Sequence, residues 1–161
     1  MKKITFILLA LISGTAFAQQ NEAKGTAEVI ATIAQPLTIT SDGNLDFATI
    51  ASPEEAVDVV LSPSNVRTIP TGLSVPANTT TSVPTFTVSK EEALTYSVVT
   101  SSTDLSLTGQ TDITIKDITT SLENLTAVTA ESFTVGATIG LNASQGPGDY
   151  KGEVAVTVSY E

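Results

Sequence analysis

Carboxylates are the only acid–base side chains that this chain holds in quantity, with 17 Asp and Glu residues and no His or Cys. A glycoside hydrolase needs two carboxyl groups that face each other across a cleft. Most of the acidic residues fall in turns or on the outward phase of alternating segments, as Asp58, Asp112 and Glu153 do. This pattern indicates solvated surface charge and predicts a protein that is not an enzyme and has no catalytic residues. An acid-pair hydrolase is the least favoured alternative.

The sequence offers few side chains that could bind a metal ion or a cofactor. The absence of His and Cys excludes Ser–His and Cys–His nucleophile pairs and imidazole or thiolate zinc sites. Residues 42–46 hold carboxylates around a glycine, but a calcium site takes about six to eight oxygen ligands, so a turn is the better interpretation. The glycines of residues 146–148 do not lead from a strand into a helix, which is the setting of a phosphate-binding loop. We therefore predict no metal and no cofactor.

The charge balance is strongly acidic. Only 7 Lys and Arg residues face the 17 acids, and the formal net charge is −10. Nucleic acid and anionic lipid head groups are bound by clustered basic side chains. The basic residues beyond position 18 are instead scattered, at Lys24, Arg67, Lys90, Lys116 and Lys151. The sequence thus predicts no nucleic-acid partner and a surface that repels polyanions.

The first eighteen residues have the three parts of a secretory signal peptide. Lys2 and Lys3 form a basic start, residues 4–12 are an apolar run, and residues 16–18 are a cleavage site with small residues at both ends. The run is too short to span a bilayer core of roughly 30 Å. We therefore predict an exported protein of the periplasm, cell surface or extracellular space, without a membrane span. Because the chain has no cysteine, it also has no site for the lipid anchor of a bacterial lipoprotein.

The elements that must position any site are strands. Apolar and polar residues alternate over most of the chain after position 25, most clearly in residues 133–141 and 148–161. Short alternating segments separated by Gly, Pro, Asn, Asp and Ser are typical of a sandwich or barrel. We predict an all-β protein, an antiparallel Ig-like or pilin-like β-sandwich of about seven to nine strands. It occupies residues 26–161 as a single domain, after a flexible segment at 19–25. Further strands are predicted within residues 45–50, 57–61, 66–69, 85–88, 96–100, 105–107 and 113–118.

Two segments are candidates for strand pairing, because an exposed sheet edge is a template for another chain. Residues 26–34 have the length and alternation of a strand that pairs either within its own sheet, which is the default, or with a neighbouring molecule. Residues 154–160 end the chain on a second alternating strand. The inward residues of the first segment are Ala27, Val29, Ala31 and Ile33, and those of the second are Val154, Val156, Val158 and Tyr160.

Four stretches together resemble a family of exported bacterial domains described only as a domain of unknown function, allied to spore-coat-U-type and fimbrial subunits. The resemblance implies a β-sandwich and little about activity. Where the family usually has glycine after Leu-Asp-Phe, this chain has Ala48. The stretches that carry the resemblance are residues 31–39, 45–50, 133–137 and 148–160.

The carboxyl terminus also resembles that of chaperone–usher pilins. Those subunits commonly end in an alternating strand with a penultimate tyrosine and with a glycine in the position that Gly148 holds here, and Tyr160 matches the tyrosine. The resemblance implies that the last strand pairs with a periplasmic chaperone. It also implies that the N-terminal extension of one subunit completes the sandwich of the next. Many such pilins carry a disulfide, and this chain has no cysteine.

These observations favour an exported, non-enzymatic structural or adhesive protein, a surface-appendage subunit that pairs through its edge strands. Its expected partners are copies of itself or related subunits and a periplasmic chaperone. The alternative is a monomeric extracellular domain that recognises a ligand, such as a glycan, through its loops.

Overall fold

A computed structural model describes residues 23–77 and 79–161. The predicted signal peptide, and residues 19–22 of the predicted flexible segment, lie outside the described residues. The chain divides into two units, Met1–Ile33 and Ala34–Glu161. Within the first unit, residues 23–33 form no strand, and their side chains are exposed. All the strands described below belong to the second unit.

The second unit is built from eight strands, and every pairing between them is antiparallel. No helix occurs among the described residues. The prediction of an all-β antiparallel sandwich of seven to nine strands is therefore confirmed. The strands are β1 (Thr38–Asp42), β2 (Val57–Leu61), β3 (Arg67–Thr68), β4 (Thr85–Ser89), β5 (Tyr96–Ser106), β6 (Thr114–Thr120), β7 (Ser132–Leu141) and β8 (Lys151–Tyr160).

The strands form two sheets. The larger sheet has six strands in the order β1-β4-β7-β2-β3, with β6 on the other edge of β7. The smaller sheet consists of β5 and β8. β7 is the centre of the larger sheet, because β4 and β2 pair with successive parts of one edge while β6 pairs with the opposite edge. This position explains why β7 is the most thoroughly buried strand.

The core consists of two clusters. The first core cluster is contributed mainly by β2 and the second half of β7, and the second by β4, β5 and the first half of β7. Within the second cluster, Phe86 and Phe133 lie directly opposite each other across the β4–β7 ladder, and their rings stack with centroids 5.6 Å apart. The first cluster comprises Phe47, Val59, Leu61, Ile113, Ala137, Ile139 and Leu141. The second comprises Phe86, Val88, Tyr96, Val98, Val128, Phe133 and Val135.

Two predicted strands are not strands in this structure. Residues 27–33 have the alternation of a strand but pair with no described strand, and the first strand is β1. Alternation sets only the side-chain pattern, whereas a strand also needs a neighbouring backbone. Residues 45–50 are irregular and contain one isolated β-bridge, Asp46 to Ser82. Residues 96–100 and 105–107 were predicted as two separate strands, but they fall almost wholly within the single strand β5.

No helix of membrane-spanning length and apolarity is present in the part of the chain that the structure describes.

Candidate strand-pairing edge

The last strand lies at the margin of the smaller sheet. Among the described residues, β8 pairs only with β5, in a continuous register from Tyr96 opposite Tyr160 to Thr103 opposite Glu153. Val154, Val156 and Val158 are only half-buried, although all three pack against the second core cluster. The strand therefore contributes to the core while one of its edges has no described partner.

The backbone of β8 offers hydrogen-bonding groups on that open edge. Glu153 donates its N–H to Thr103 Oγ1 at 3.0 Å, and Glu161 donates its N–H to the Thr95 carbonyl at 3.4 Å. Odd-numbered residues of β8 thus direct their N–H groups toward β5. Because successive residues of a strand point their backbone groups to opposite sides, the N–H groups of Val154, Val156 and Val158 point to the open edge. An unpaired row of this kind is a template for another strand.

Tyr160 ties the end of β8 to the chain just before β1. Its hydroxyl accepts a hydrogen bond from the Glu91 N–H at 2.8 Å and donates one to the Gln35 carbonyl at 2.9 Å. The Gln35 N–H in turn donates to the Glu91 carboxylate at 3.3 Å. Gln35, near the start of the second unit, is therefore held beside Tyr160 through both of its backbone groups.

A second edge strand, β1, also borders the second core cluster, and it approaches β8. Among the described strands, β1 pairs only with β4, so it is the edge of the larger sheet. Leu37 and Ile39 are half-buried and pack against the same cluster as the three valines of β8. One core cluster is thus bordered by an edge strand from each sheet.

A cavity of about 750 Å³ lies beyond the start of β8. It is lined by residues 45–53 and 145–150, with side chains of the first core cluster behind them. Its buried amide, Gln145, donates to Tyr150 Oη at 2.9 Å and to the Thr111 carbonyl, and Tyr150 donates to the Gly146 carbonyl at 2.8 Å. The loop between β7 and β8 is therefore held by hydrogen bonds within the loop and by one to Thr111 in the loop before β6.

Residues 45–53, which form the other wall of the cavity, have an irregular backbone. Ala48 has a φ of 57°, in the left-handed region that favours glycine. The Ala48 N–H donates to Asp46 Oδ1 at 2.7 Å, and the guanidinium of Arg67 donates to the Phe47 carbonyl. The glycine that the resembled family usually has at this position suits this conformation, and alanine adopts it at a cost in strain.

The predicted pairing residues lie in different units of the chain. Ala27, Val29, Ala31 and Ile33 are in the first unit and exposed, with Val29 and Ile33 each 94% exposed. The three valines and Tyr160 line the open edge of β8 in the second unit. The structure contains one copy of the chain, so the pairing between the two segments stays a prediction. The sequence did not predict the contacts of Gln35 and Glu91 with Tyr160, because no local pattern indicates a contact between residues so far apart in the chain.

No three acidic side chains in the described part of the chain lie close enough to hold a metal ion. Asp58 forms an ion pair with Lys116, and both side chains are about half exposed. Burial raises the pKa of Tyr96, whose hydroxyl donates to the Ala130 carbonyl at 2.6 Å. These contacts connect strands and loops and serve the fold.

Residues 37–160 match a family model described as a domain of unknown function, DUF4402. The chain therefore belongs to this family, and the resemblance to a family of unknown function is confirmed. No curated protein and no solved structure matches the chain. The match begins at Leu37, beside Gln35 and after the segment of residues 26–34.

Proposed function

Starting from this family membership, we propose that the protein is an exported, non-enzymatic structural or adhesive subunit of a surface appendage. Residues 26–34 of one copy pair with the open edge of β8 in the next copy, and repetition of this step builds a polymer. The proposal places the chain beside spore-coat-U-type and fimbrial subunits. It also assigns a periplasmic chaperone that covers the same edge before assembly.

The observation that supports the proposal most strongly is the open edge of β8. Natural edge strands are usually protected by lysine, proline, a bulge or a covering loop. Lys151 and a shift in register with β5 lie at the start of β8. Residues 152–160 contain neither lysine nor proline, and their register with β5 is regular from Glu153 onward. Three half-buried valines on this edge add apolar surface that a further strand would cover. Such an edge is suited to strand addition.

Residues 26–34 are the strand that we propose to pair with this edge. Residues 26–34 alternate in the manner of a strand, yet they pair with no strand in the described structure. Complete burial of a valine or isoleucine side chain contributes about 1.5–3 kcal/mol relative to exposure. Val29 and Ile33 are almost fully exposed, so their burial against a second copy would supply much of the driving force for assembly.

The test is a denaturing gel of surface material that has not been boiled. Strand-donated polymers are expected to appear as a ladder that collapses to monomer on boiling. Replacing Val29 and Ile33 together by asparagine should abolish the ladder. The matched control is Ile30→Asn, which changes a residue of the opposite phase that is 77% exposed. This control should preserve the ladder.

Because these residues lie outside the strands, the circular dichroism spectrum of each variant should match that of the wild type. A single monomeric band from the wild type, or a ladder that persists in the Val29/Ile33 variant, would contradict the proposal.

The cavity favours a second candidate, a monomeric extracellular domain that binds a glycan through its loops. The cavity is lined by the loops before β2 and before β8, and its volume of about 750 Å³ is sufficient for a small ligand. Retention of monomeric protein on a glycan array, together with the absence of a ladder, would select this function over polymerisation.

A further inference from the structure

We infer that the cavity before β8 binds a glycan whose sugars carry protonated amino groups. This inference rests on the second candidate function, glycan recognition through the loops, and adds the chemical class of the ligand. Three features of the cavity support it: an apolar floor, an aromatic ring that is held in place, and a rim with acidic but no basic side chains.

The floor of the cavity is apolar. Leu45, Leu105 and Ile113 line it, and each of them belongs to the first core cluster or packs against it. The C–H groups on one side of a sugar ring form an apolar surface of similar size. Removing two such surfaces from water is favourable. The floor therefore fits the less polar side of a sugar ring.

The ring of Tyr150 lines the cavity and is held by its hydroxyl. This hydroxyl accepts a hydrogen bond from Gln145 Nε2 at 2.9 Å and donates one to the Gly146 carbonyl at 2.8 Å. Gln145 is itself buried and also donates to the Thr111 carbonyl at 2.6 Å. The ring is thus ordered before a ligand arrives, which reduces the entropic cost of binding. Because aromatic rings attract cations, an ordered tyrosine favours a ligand with a protonated amine.

The rim of the cavity is acidic. Asp46 lies in one wall and Asp149 in the other, and both are exposed. Among the described residues the ion pair is Asp58 with Lys116, so neither rim carboxylate is neutralised by a described cation. No Lys or Arg is found among the described residues that line the cavity. The rim therefore attracts a cationic ligand and repels an acidic sugar.

The loops around the cavity extend this negative charge. They connect β1 to β2, β5 to β6 and β7 to β8, and they contact one another. The Ser144 N–H donates to the Pro53 carbonyl at 2.8 Å, and the Asn142 amide donates to the Asp112 carbonyl at 3.1 Å. A cleft surrounded by charge of one sign concentrates ligands of the opposite sign. Five acidic residues and no Lys or Arg occur in these loops, residues 43–56, 107–113 and 142–150.

Among glycans, amino sugars combine the properties that these features select. Their rings have an apolar side for the floor, and their ammonium groups can approach both the rim carboxylates and Tyr150. Neutral sugars gain nothing from the two carboxylates, and sugars with carboxylate groups are repelled by them. Charge thus selects the amino sugars from the glycans that the cavity could hold by size.

The test measures the binding of three tetrasaccharides to the mature chain by isothermal titration calorimetry at low salt and mildly acidic pH. One consists of glucosamine, the second of N-acetylglucosamine, in which every amine is neutralised, and the third of galacturonic acid. The glucosamine tetrasaccharide should bind about tenfold more tightly than the acetylated one, as expected of two exposed ion pairs and one cation–π contact. In NMR spectra, its effects on amide shifts should concentrate in residues 45–53 and 145–150.

Paired variants locate the charge effect. Asp46→Asn with Asp149→Asn should reduce the preference for glucosamine roughly fivefold. Asparagine keeps an oxygen that can accept the Ala48 N–H, so the wall should retain its shape. The matched control, Asp117→Asn with Glu123→Gln, removes the same charge from exposed residues outside the cavity lining. This control should keep the preference.

The outcomes separate the ligand class from the proposed function. Tighter binding of the acetylated or the acidic tetrasaccharide would overturn the amine chemistry and leave glycan recognition standing. An equal loss of preference in both double variants would show attraction by the net charge of the whole chain, and would overturn the site. If none of the three sugars binds and a glycan array retains no protein, the inference and the second candidate function are both wrong.

Discussion

Replacing Tyr160 by phenylalanine removes one oxygen atom and with it both hydrogen bonds that tie β8 to the chain before β1. The hydroxyl accepts from the partly buried Glu91 N–H and donates to the exposed Gln35 carbonyl. A typical hydrogen bond contributes about 0.5–1.5 kcal/mol net, and an exposed one lies at the lower end because water replaces it. The two losses together should lower the free energy of unfolding by about 1–2 kcal/mol.

Urea unfolding of the mature chain lacking residues 26–34 is the suitable assay, because this form has no segment to donate. With a slope of about 1.5–3 kcal/mol per molar urea, the midpoint should fall by about 0.5–1 M. Tyr160→Leu, which also removes the ring, should destabilise further. A midpoint for Tyr160→Phe within about 0.1 M of the parent would refute the view that this hydroxyl holds Gln35 in place.

Three further substitutions test the packing. Ala48→Gly should raise the free energy of unfolding by about 0.5–1 kcal/mol in a melt, because glycine adopts the φ of 57° without strain; a lower melting temperature would contradict this. Gly136→Ala should lower the free energy of unfolding by at least about 3 kcal/mol or prevent folding, because the added carbon would meet the backbone carbonyl of Leu61. An unchanged melting temperature would contradict this. Tyr96→Phe should lower the free energy of unfolding by about 1–3 kcal/mol, since the Ala130 carbonyl loses a partly buried hydrogen-bond donor. An unchanged midpoint of urea unfolding would contradict this.

Much of the fold was predictable from local sequence. The alternation of apolar and polar residues predicted both β7 and β8, because successive side chains of a strand point to opposite faces of the sheet. The turn at Gly43 was predictable too, and this glycine has the positive φ that such turns use. Alternation failed at residues 45–50. There Phe47 is buried in the first core cluster, while Ala48 takes a left-handed conformation that ends any strand.

The candidate site was predictable only in part. The sequence identified the half-buried residues of β8, because this strand carries its own alternation. The inward residues of 26–34 stay a prediction, since this segment is exposed and forms no strand. The sequence did not show which edge of β8 is open, since strand order depends on pairings between distant segments. The contact of Tyr160 with Gln35 spans nearly the whole domain, and no periodicity within either segment reports it. The buried Gln145 was missed for a similar reason, because its partners assemble only when the loops fold together.

Hydrogen exchange at the amides of β8 tests strand donation most directly. The mature chain lacking residues 26–34 would be measured by NMR, alone and with a synthetic peptide of residues 24–35. The expected result is slower exchange at Val154, Val156 and Val158, whose N–H groups point to the open edge. Glu153 already donates to Thr103 in β5 and Glu161 to the Thr95 carbonyl just before β5, so both should change little. A peptide in which Val29 and Ile33 are replaced by asparagine should have no effect. Unchanged exchange at the three valines with the native peptide would contradict strand pairing at this edge.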